Sequence, residues 1–511
     1  MFSLEKISYI LLITISIIAY QINASETFSS MSDNLSFILL IVVLALYGLF
    51  SKTKKYISII SLSIAMIFIV IELITHRMTS FYFHKIPTEI ISIILDTNID
   101  EVKSNIFFSK NEWLLLFLIL ANIFSLIFPI KVRINKTELF FSLVVIIPII
   151  FLVNTPMHQT FETIMKNKEI AKQSMNAISQ KKDFKWGSTS EYKGKQTVII
   201  FLGETNRGDF LHINGYPKNT TPNLEKEGVI SYTDTISQGA YTLSSTPMIL
   251  TRKGVKDKGI FPERSIITAY KEAGFKTWYV SYLSASHIGD NEINLIAHEA
   301  DSYIRSSVKD STLKDILNDK SEKKLIVYKT IGSHYLYHTR YPSEYNIFTP
   351  AFTNNDYHTP TIKDKERLEN SYANSMAYSV DKQVSDFIKI LKNESGIAYL
   401  SFISDHGTAI YDDGKSLYGG NTKGNFSIAH FYWFNDKFIA ENKVMIKKLE
   451  LNKNKKITSQ CFLDTSLDLS LIKTEKRKGC SLIDPTLKEE ERFILNGRVY
   501  DFDKEILHSS N

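Results

Sequence analysis

Hydrophobic and polar positions divide this chain into two unlike parts. Five runs almost free of charge occupy 7–22, 35–50, 56–75, 113–130 and 139–153. A helix needs about 20 apolar residues to cross a bilayer, so these runs predict five transmembrane helices, the last a short one. Trp113 and the Phe and Tyr residues near the run ends suit the membrane interface. Loop charge then sets the direction. The second connection carries Lys52, Lys54 and Lys55, and the fourth carries Lys131, Arg133 and Lys136. The first, around Glu26 and Asp33, has no basic residue. The positive-inside rule puts the second and fourth loops in the cytoplasm and everything after 153 on the far side. Ala24 and Ser25 behind the first run also fit a cleaved signal, which leaves that orientation unchanged. Glu72 is the main ionisable residue in these runs and reads as an end-of-helix residue. A transporter would place more polar groups at the midplane, so this half reads as an anchor. The outside loop 76–112 is amphipathic around 90–95 and suits the membrane surface.

Past the spans, apolar positions at Phe161, Ile164, Met165, Ala171, Met175 and Ile178 predict an amphipathic helix in a linker over 157–194. From 195 the pattern changes again. Short β-branched and aromatic runs alternate with polar helical stretches, which predicts an α/β domain with a central, largely parallel sheet. The clearest strands are 197–202, 277–282, 324–330, 397–403 and 429–434. The organisation is therefore a transmembrane domain over 1–156, the linker, and an α/β domain over 195–511.

Polar residues of catalytic type follow three of these strands: Glu204, His334 and the pair Asp405–His406. Ligands of open α/β sheets bind at the carboxyl edge, so the pattern predicts a site there. Glu, Asp and His with few thiolates nearby suit zinc or a similar divalent cation. Each residue alone has a plainer reading: Glu204 as a helix cap, and Asp405–His406 as a turn before Gly407. His212, His338 and His430 read as surface or packing residues. The net charge of +6 over 511 residues is modest and forms no basic stripe, which argues against nucleic-acid binding. The two cysteines, Cys461 and Cys480, lie in the part placed outside the cytoplasm. There a single structural disulfide is expected, with two buried thiols as the alternative.

Longer motifs link these residues. Val198-Ile-Ile-Phe-Leu-Gly-Glu204-Thr-Asn-Arg is followed by Asn214-Gly-Tyr-Pro217, Thr221-Pro-Asn223 and Ser237-Gln-Gly-Ala-Tyr-Thr242. Later come Gly332-Ser-His334, Arg340-Tyr-Pro342, Phe348-Thr-Pro350, Glu369-Asn-Ser-Tyr-Ala-Asn374-Ser and Ser404-Asp405-His406-Gly407. In these blocks, over essentially its whole length, the chain resembles the phosphoethanolamine transferases of the alkaline phosphatase and sulfatase superfamily. Those lipopolysaccharide-modifying enzymes sit in the bacterial inner membrane on five spans and carry a sulfatase-like domain in the periplasm.

The resemblance implies transfer of phosphoethanolamine from phosphatidylethanolamine to lipopolysaccharide or another envelope glycan, through a phospho-threonine at a Zn2+ site. It implies Glu204, Thr242, Asp405 and His406 as metal ligands, Thr242 as the nucleophile, and His334 beside the transferred phosphoryl group. Thr97 and Glu101 match a segment implicated in lipid-donor binding. The chemistry explains these residue types. A threonine hydroxyl is a weak nucleophile at neutral pH, and a bound cation lowers the cost of its alkoxide and steadies phosphoryl oxygens.

Four departures stand out. Gln238 and Met248 replace a disulfide that flanks the nucleophile in many members. Thr408 replaces a glutamate after the Asp-His-Gly block. Tyr418-Gly419 falls where lipid A enzymes carry a second histidine, and the region from Ser281 to His287 lacks their cysteine-bracketed loop. These differences favour core sugars or other glycans over lipid A as acceptor. A phosphoglycerol transferase shares the anchor, the threonine and the metal, but the Asn-Gly-Tyr-Pro and Gly-Ser-His blocks favour phosphoethanolamine. A secreted-side sulfatase or phosphatase would not need five spans. A non-catalytic membrane receptor or scaffold is the reading that Thr408 keeps open.

Overall fold

The strand at Gln196–Gly203 (β1) is buried at all eight positions, as is Ile397–Ser404 (β6). Continuous burial of β-branched and aromatic residues marks strands covered on both faces, the usual state of a parallel sheet. The computed structural model describes residues 179–282, 292–305, 311–354, 356, 360–474, 480–484 and 487–507. The five predicted spans, Thr97 and Glu101, and most of the linker lie outside these residues. Among the described residues, no helix is long and apolar enough to cross a membrane.

Seven strands build the main sheet. Besides β1 and β6 they are Ile230–Ser231 (β2), Lys276–Ser281 (β3), Ser302–Arg305 (β4), Lys323–Lys329 (β5) and His430–Phe434 (β7). Their order across the sheet is β2-β7-β6-β1-β5-β3-β4. The five strands from β6 to β4 run parallel, while β7 is antiparallel to both β6 and β2. The five clearest strands read from the sequence all form, each within a residue of its expected bounds.

Helices cover both faces. On one side Ile266–Glu272 (α2) and Cys461–Leu469 (α5) bury Ile266, Ile267, Phe462 and Leu467 in one core with Val198, Ile200, Leu325 and Tyr399. On the other side Gln383–Leu391 (α4) sets Phe387 against Phe201 and Tyr328, with ring centroids 5.1 and 4.7 Å apart. Two further helices, Thr242–Leu250 (α1) and Lys365–Met376 (α3), serve the carboxyl edge of the sheet.

Register decides what meets at that edge. In the central ladder Leu202 pairs with Lys329 of β5 and Ile403 of β6, and Gly203 pairs with Ser404. Neighbouring strands lie about 4.8 Å apart, so Glu204 and Asp405 emerge side by side, and the Lys329 side chain, rooted two residues lower on β5, reaches up to both. The expected disulfide is corrected here. Cys461 and Cys480 are free thiols, with their Sγ atoms 2.9 Å apart at hydrogen-bonding distance.

Candidate metal and nucleophile site

Glu204, Asp405 and His406 are buried to within 2% of full burial, and one ligand atom from each lies within 4.8 Å of the others. Thr242 is the first residue of α1, which presents its hydroxyl from the helix amino terminus. Its Oγ1 lies 2.9 Å from Asp405 Oδ2, 3.1 Å from Glu204 Oε2 and 3.3 Å from His406 Nε2. Two carboxylates, one imidazole and one hydroxyl thus face a common point. That donor set and its compactness fit a divalent cation such as Zn2+. The aligned dipoles of α1 add positive potential where the hydroxyl would ionise.

The imidazole is oriented from behind, because His406 Nδ1 lies 2.6 Å from the Gly407 carbonyl oxygen, leaving Nε2 for the site. Asp405 Oδ1 accepts from the Thr205 amide at 3.0 Å and the His406 amide at 2.7 Å, so Oδ2 is the oxygen left for the site.

Sequence reasoning missed three residues that hold this arrangement. Lys329 Nζ lies 2.8 Å from both Glu204 Oε2 and Asp405 Oδ2, and 3.0 Å from the Gly203 carbonyl. Burial alone would raise the Glu204 carboxyl, but Lys329, then His406 and His334, holds it well below the usual carboxylate range. Burial opposes the charge on Lys329 too, yet Asp405 and Glu204 keep the ammonium above its usual range. Against its burial, the two carboxylates push His406 up to about 9. A bound cation would displace that proton, since imidazole ligates in its neutral form.

Thr205 is the second. It adopts φ +58°, a left-handed conformation uncommon for a β-branched residue. Its hydroxyl donates to Glu204 Oε1 at 2.8 Å and its carbonyl accepts from Tyr372 of α3 at 2.6 Å. Such strain persists where surrounding contacts over-determine it. Third, the guanidinium of Arg207 binds Asp209, Asp412 and the Thr408 carbonyl, which ties the loop after His406 to the end of β1.

His334 stands beside the cluster, not inside it. Its loop turns at Gly332, φ +47°, and packs against Glu204, whose carbonyl accepts from the Ser333 amide at 2.9 Å. The His334 ring faces Tyr418, with centroids 6.2 Å apart. Thr408, in the glutamate's place, is buried and its hydroxyl lies 3.1 Å from Tyr337 OH. The segment before Thr242 is braced by backbone pairing, with no disulfide. The Leu495 amide donates to the Gln238 carbonyl at 2.8 Å, and Gly239 bridges Leu495.

The three other histidines weighed from the sequence keep away. His430 is core, stacked on Tyr232 with Nε2 2.9 Å from Tyr432 OH. His212 Nδ1 lies 2.7 Å from the Tyr216 carbonyl, and His338 sits over Phe352 in a loop broken by left-handed Leu336.

A family model described as Sulfatase matches residues 196–470. Phosphoethanolamine transferase EptC of Escherichia coli K12 is 24% identical over 347 residues, covering 63% of this chain and 58% of its own length. Phosphoethanolamine transferase EptA of Escherichia coli O157:H7 is 29% identical over 241 residues, 44% of this chain and 43% of its own length. The chain therefore spans about half the length of these curated relatives.

Among solved structures, the zinc complex of the C-terminal periplasmic domain of EptC from Escherichia coli superposes with a TM-score of 0.55 at 22% identity. It covers 63% of this chain and 96% of that one. The integral membrane lipooligosaccharide phosphoethanolamine transferase A from Neisseria meningitidis gives 0.67 at 16% identity, covering 92% of this chain and 97% of that one. At such identities the likeness is one of fold. These relatives match the resemblance carried by the motifs, and with the family model covering more than half of its residues, the chain belongs to the sulfatase family.

Proposed function

We propose that this protein is a zinc-dependent transferase that moves phosphoethanolamine from phosphatidylethanolamine to a cell-envelope glycolipid, through a phospho-threonine on Thr242. The acceptor class is lipopolysaccharide, at its core or lipid A, or another envelope glycan. One observation carries the reading: the Thr242 hydroxyl, at a helix amino terminus, sits 2.9 Å from Asp405 and 3.1 Å from Glu204 in a compact donor set for one cation. Relatives named for this activity support it.

Zinc, when bound, would ease ionisation of the hydroxyl and draw charge from the phosphoryl oxygens. In the first half-reaction Thr242 Oγ1 bonds to phosphorus as the bond to the diacylglycerol oxygen breaks. The threonine proton is given up to solvent, and the leaving diacylglycerol oxygen takes up a proton from solvent with His334 nearby. In the second half-reaction an acceptor hydroxyl or phosphate oxygen bonds to phosphorus, the bond to Thr242 breaks, and Thr242 regains its proton. Five spans within 7–153 would hold the domain on the periplasmic face of the inner membrane, with Thr97 and Glu101 toward the lipid donor.

The test uses the full chain in nanodiscs containing labelled phosphatidylethanolamine, with peptide mass spectrometry of the Thr242 region. The expected result is a phosphoethanolamine adduct on Thr242 that acceptor glycolipid discharges. Thr242→Ala should fold normally and transfer nothing. Full transfer by Thr242→Ala would refute the covalent route. An adduct only from phosphatidylglycerol would indicate a phosphoglycerol transferase, and a protein with neither zinc nor adduct would be a scaffold.

A further inference from the structure

Lys329 is an unusual neighbour for residues that would hold a cation. Its side chain is 2% exposed, and it reaches the site from β5, a different strand from those bearing Glu204 and Asp405. A lysine ammonium has three N–H donors. Here all three find acceptors, namely Glu204 Oε2, Asp405 Oδ2 and the Gly203 carbonyl. The ammonium is therefore a fixed part of the site. We propose that Lys329 supplies the one positive charge beyond those of the ion in a site built for a single divalent cation.

Two observations point the same way. The first is the supply of ligands. Asp405 Oδ1 is taken by the Thr205 and His406 amides. What remains is the Glu204 carboxylate, Asp405 Oδ2, His406 Nε2 and Thr242 Oγ1, four groups about one point. Tetrahedral zinc takes four ligands, so this set is used up by one ion. Among the described residues no other group of three His, Cys, Asp or Glu side chains lies close enough to hold a metal.

The second is charge. While Thr242 keeps its proton, two carboxylates and one divalent ion cancel, and Lys329 leaves the site with a net charge of plus one. The phosphodiester of a phospholipid carries a single negative charge, so the occupied site and that donor are matched. A second divalent ion would overshoot, and it would also stand against a buried ammonium in a medium that screens charge poorly. Lys329 is thus a positioning residue. It holds both carboxylates and tunes how tightly they grip the ion.

This inference rests on the metal-site reading proposed above, and the experiment separates the two. The full-length protein is stripped with a chelator and titrated with zinc alone, with stoichiometry read by native mass spectrometry and affinity by chelator competition. Wild type, Lys329→Met and Lys329→Arg are compared. Wild type should take one ion per chain. Lys329→Met should bind zinc roughly tenfold tighter or more, because repulsion is removed, yet form less adduct on Thr242. Lys329→Arg should return affinity toward the wild-type value. A purely structural lysine would weaken metal binding and transfer together.

Two ions per wild-type chain, or no tightening in a folded Lys329→Met, would overturn the inference and leave the metal site standing. Removing Lys329 leaves two buried carboxylates uncompensated. If the methionine variant fails to fold without metal, the wild-type stoichiometry and the arginine variant still decide. A wild-type chain that binds no zinc would defeat the metal-site reading itself.

Discussion

The contact between Gly332 and Glu204 offers a test in which two glycines separate strain from placement. A Cβ built at Gly332 would lie 2.3 Å from the Glu204 carbonyl oxygen and 2.8 Å from its amide nitrogen, at φ +47°. Gly274, at the end of α2, has φ +88°, and a Cβ added there would meet nothing within 4 Å. Alanine at either position incurs the cost of a left-handed backbone, about 1–2 kcal/mol. Gly332→Ala adds overpacking of about 1–3 kcal/mol, because the atoms in the way are backbone and cannot rotate aside. It also threatens the Ser333 amide bond to Glu204, worth about 1 kcal/mol. The total is about 2–6 kcal/mol, and it falls on a residue whose carboxylate is proposed to hold the cation. A displacement of Glu204 approaching 1 Å would slow adduct formation by about 100-fold. Gly274→Ala should lower thermal stability slightly and leave zinc content and adduct rate at wild-type levels. Both variants are to be measured in the full-length protein, by metal analysis, adduct rate and thermal unfolding. If Gly332→Ala matches Gly274→Ala in zinc content and rate, the close approach does not position Glu204 and the reasoning fails.

Two further outcomes follow from groups outside the site. Burial pushes the His430 imidazole down to about 3, whereas an unfolded histidine titrates near 6.5. Between those values the unfolded chain binds the extra proton, so stability is full above about 6.5 and falls as pH drops toward 3. Metal-free protein should lose about 2–3 kcal/mol from this group between pH 7 and 4.5, and His430→Phe should flatten that slope in thermal unfolding. An unchanged slope would mean that His430 is not held neutral. For Cys461 and Cys480, oxidation in an oxidising compartment should close a loop worth about 3 kcal/mol. Non-reducing peptide mapping and melting with and without reductant would show it, and thiols that stay free under mild oxidant would contradict it.

The sheet was legible because buried parallel strands are written as unbroken β-branched and aromatic runs, and Gln196–Gly203 and Ile397–Ser404 are such runs. Glu204 and Asp405–His406 were legible as polar residues directly after them. Thr242 was not readable from pattern, since a hydroxyl in a Tyr-Thr-Leu-Ser-Ser stretch resembles any helix start, and only the motif resemblance singled it out. Lys329 was hidden inside a predicted strand. A lysine at a strand end looks solvent-bound until the two strands beside it set carboxylates two residues beyond its level, within reach of its long side chain, and that is a matter of register. Thr205 was hidden for the opposite reason: local preference argues against φ +58° in a β-branched residue, and three hydrogen bonds to its amide, hydroxyl and carbonyl impose it. The strand at 429–434 was expected, but its antiparallel direction depends on where the connecting chain returns.

The pairing of Leu495 with Gln238 and Gly239 has a consequence for assembly. A ribosome makes the nucleophile's segment about 250 residues before the strand that steadies it, and Asn496 also reaches Tyr241 OH at 3.3 Å. During synthesis the brace on the threonine's segment is complete only once this late hairpin, Phe493–Asn496 against Arg498–Asp501, has formed. A chain cut short before 493 would therefore carry Glu204, Thr242, Asp405 and His406 yet leave the segment ahead of Thr242 unbraced.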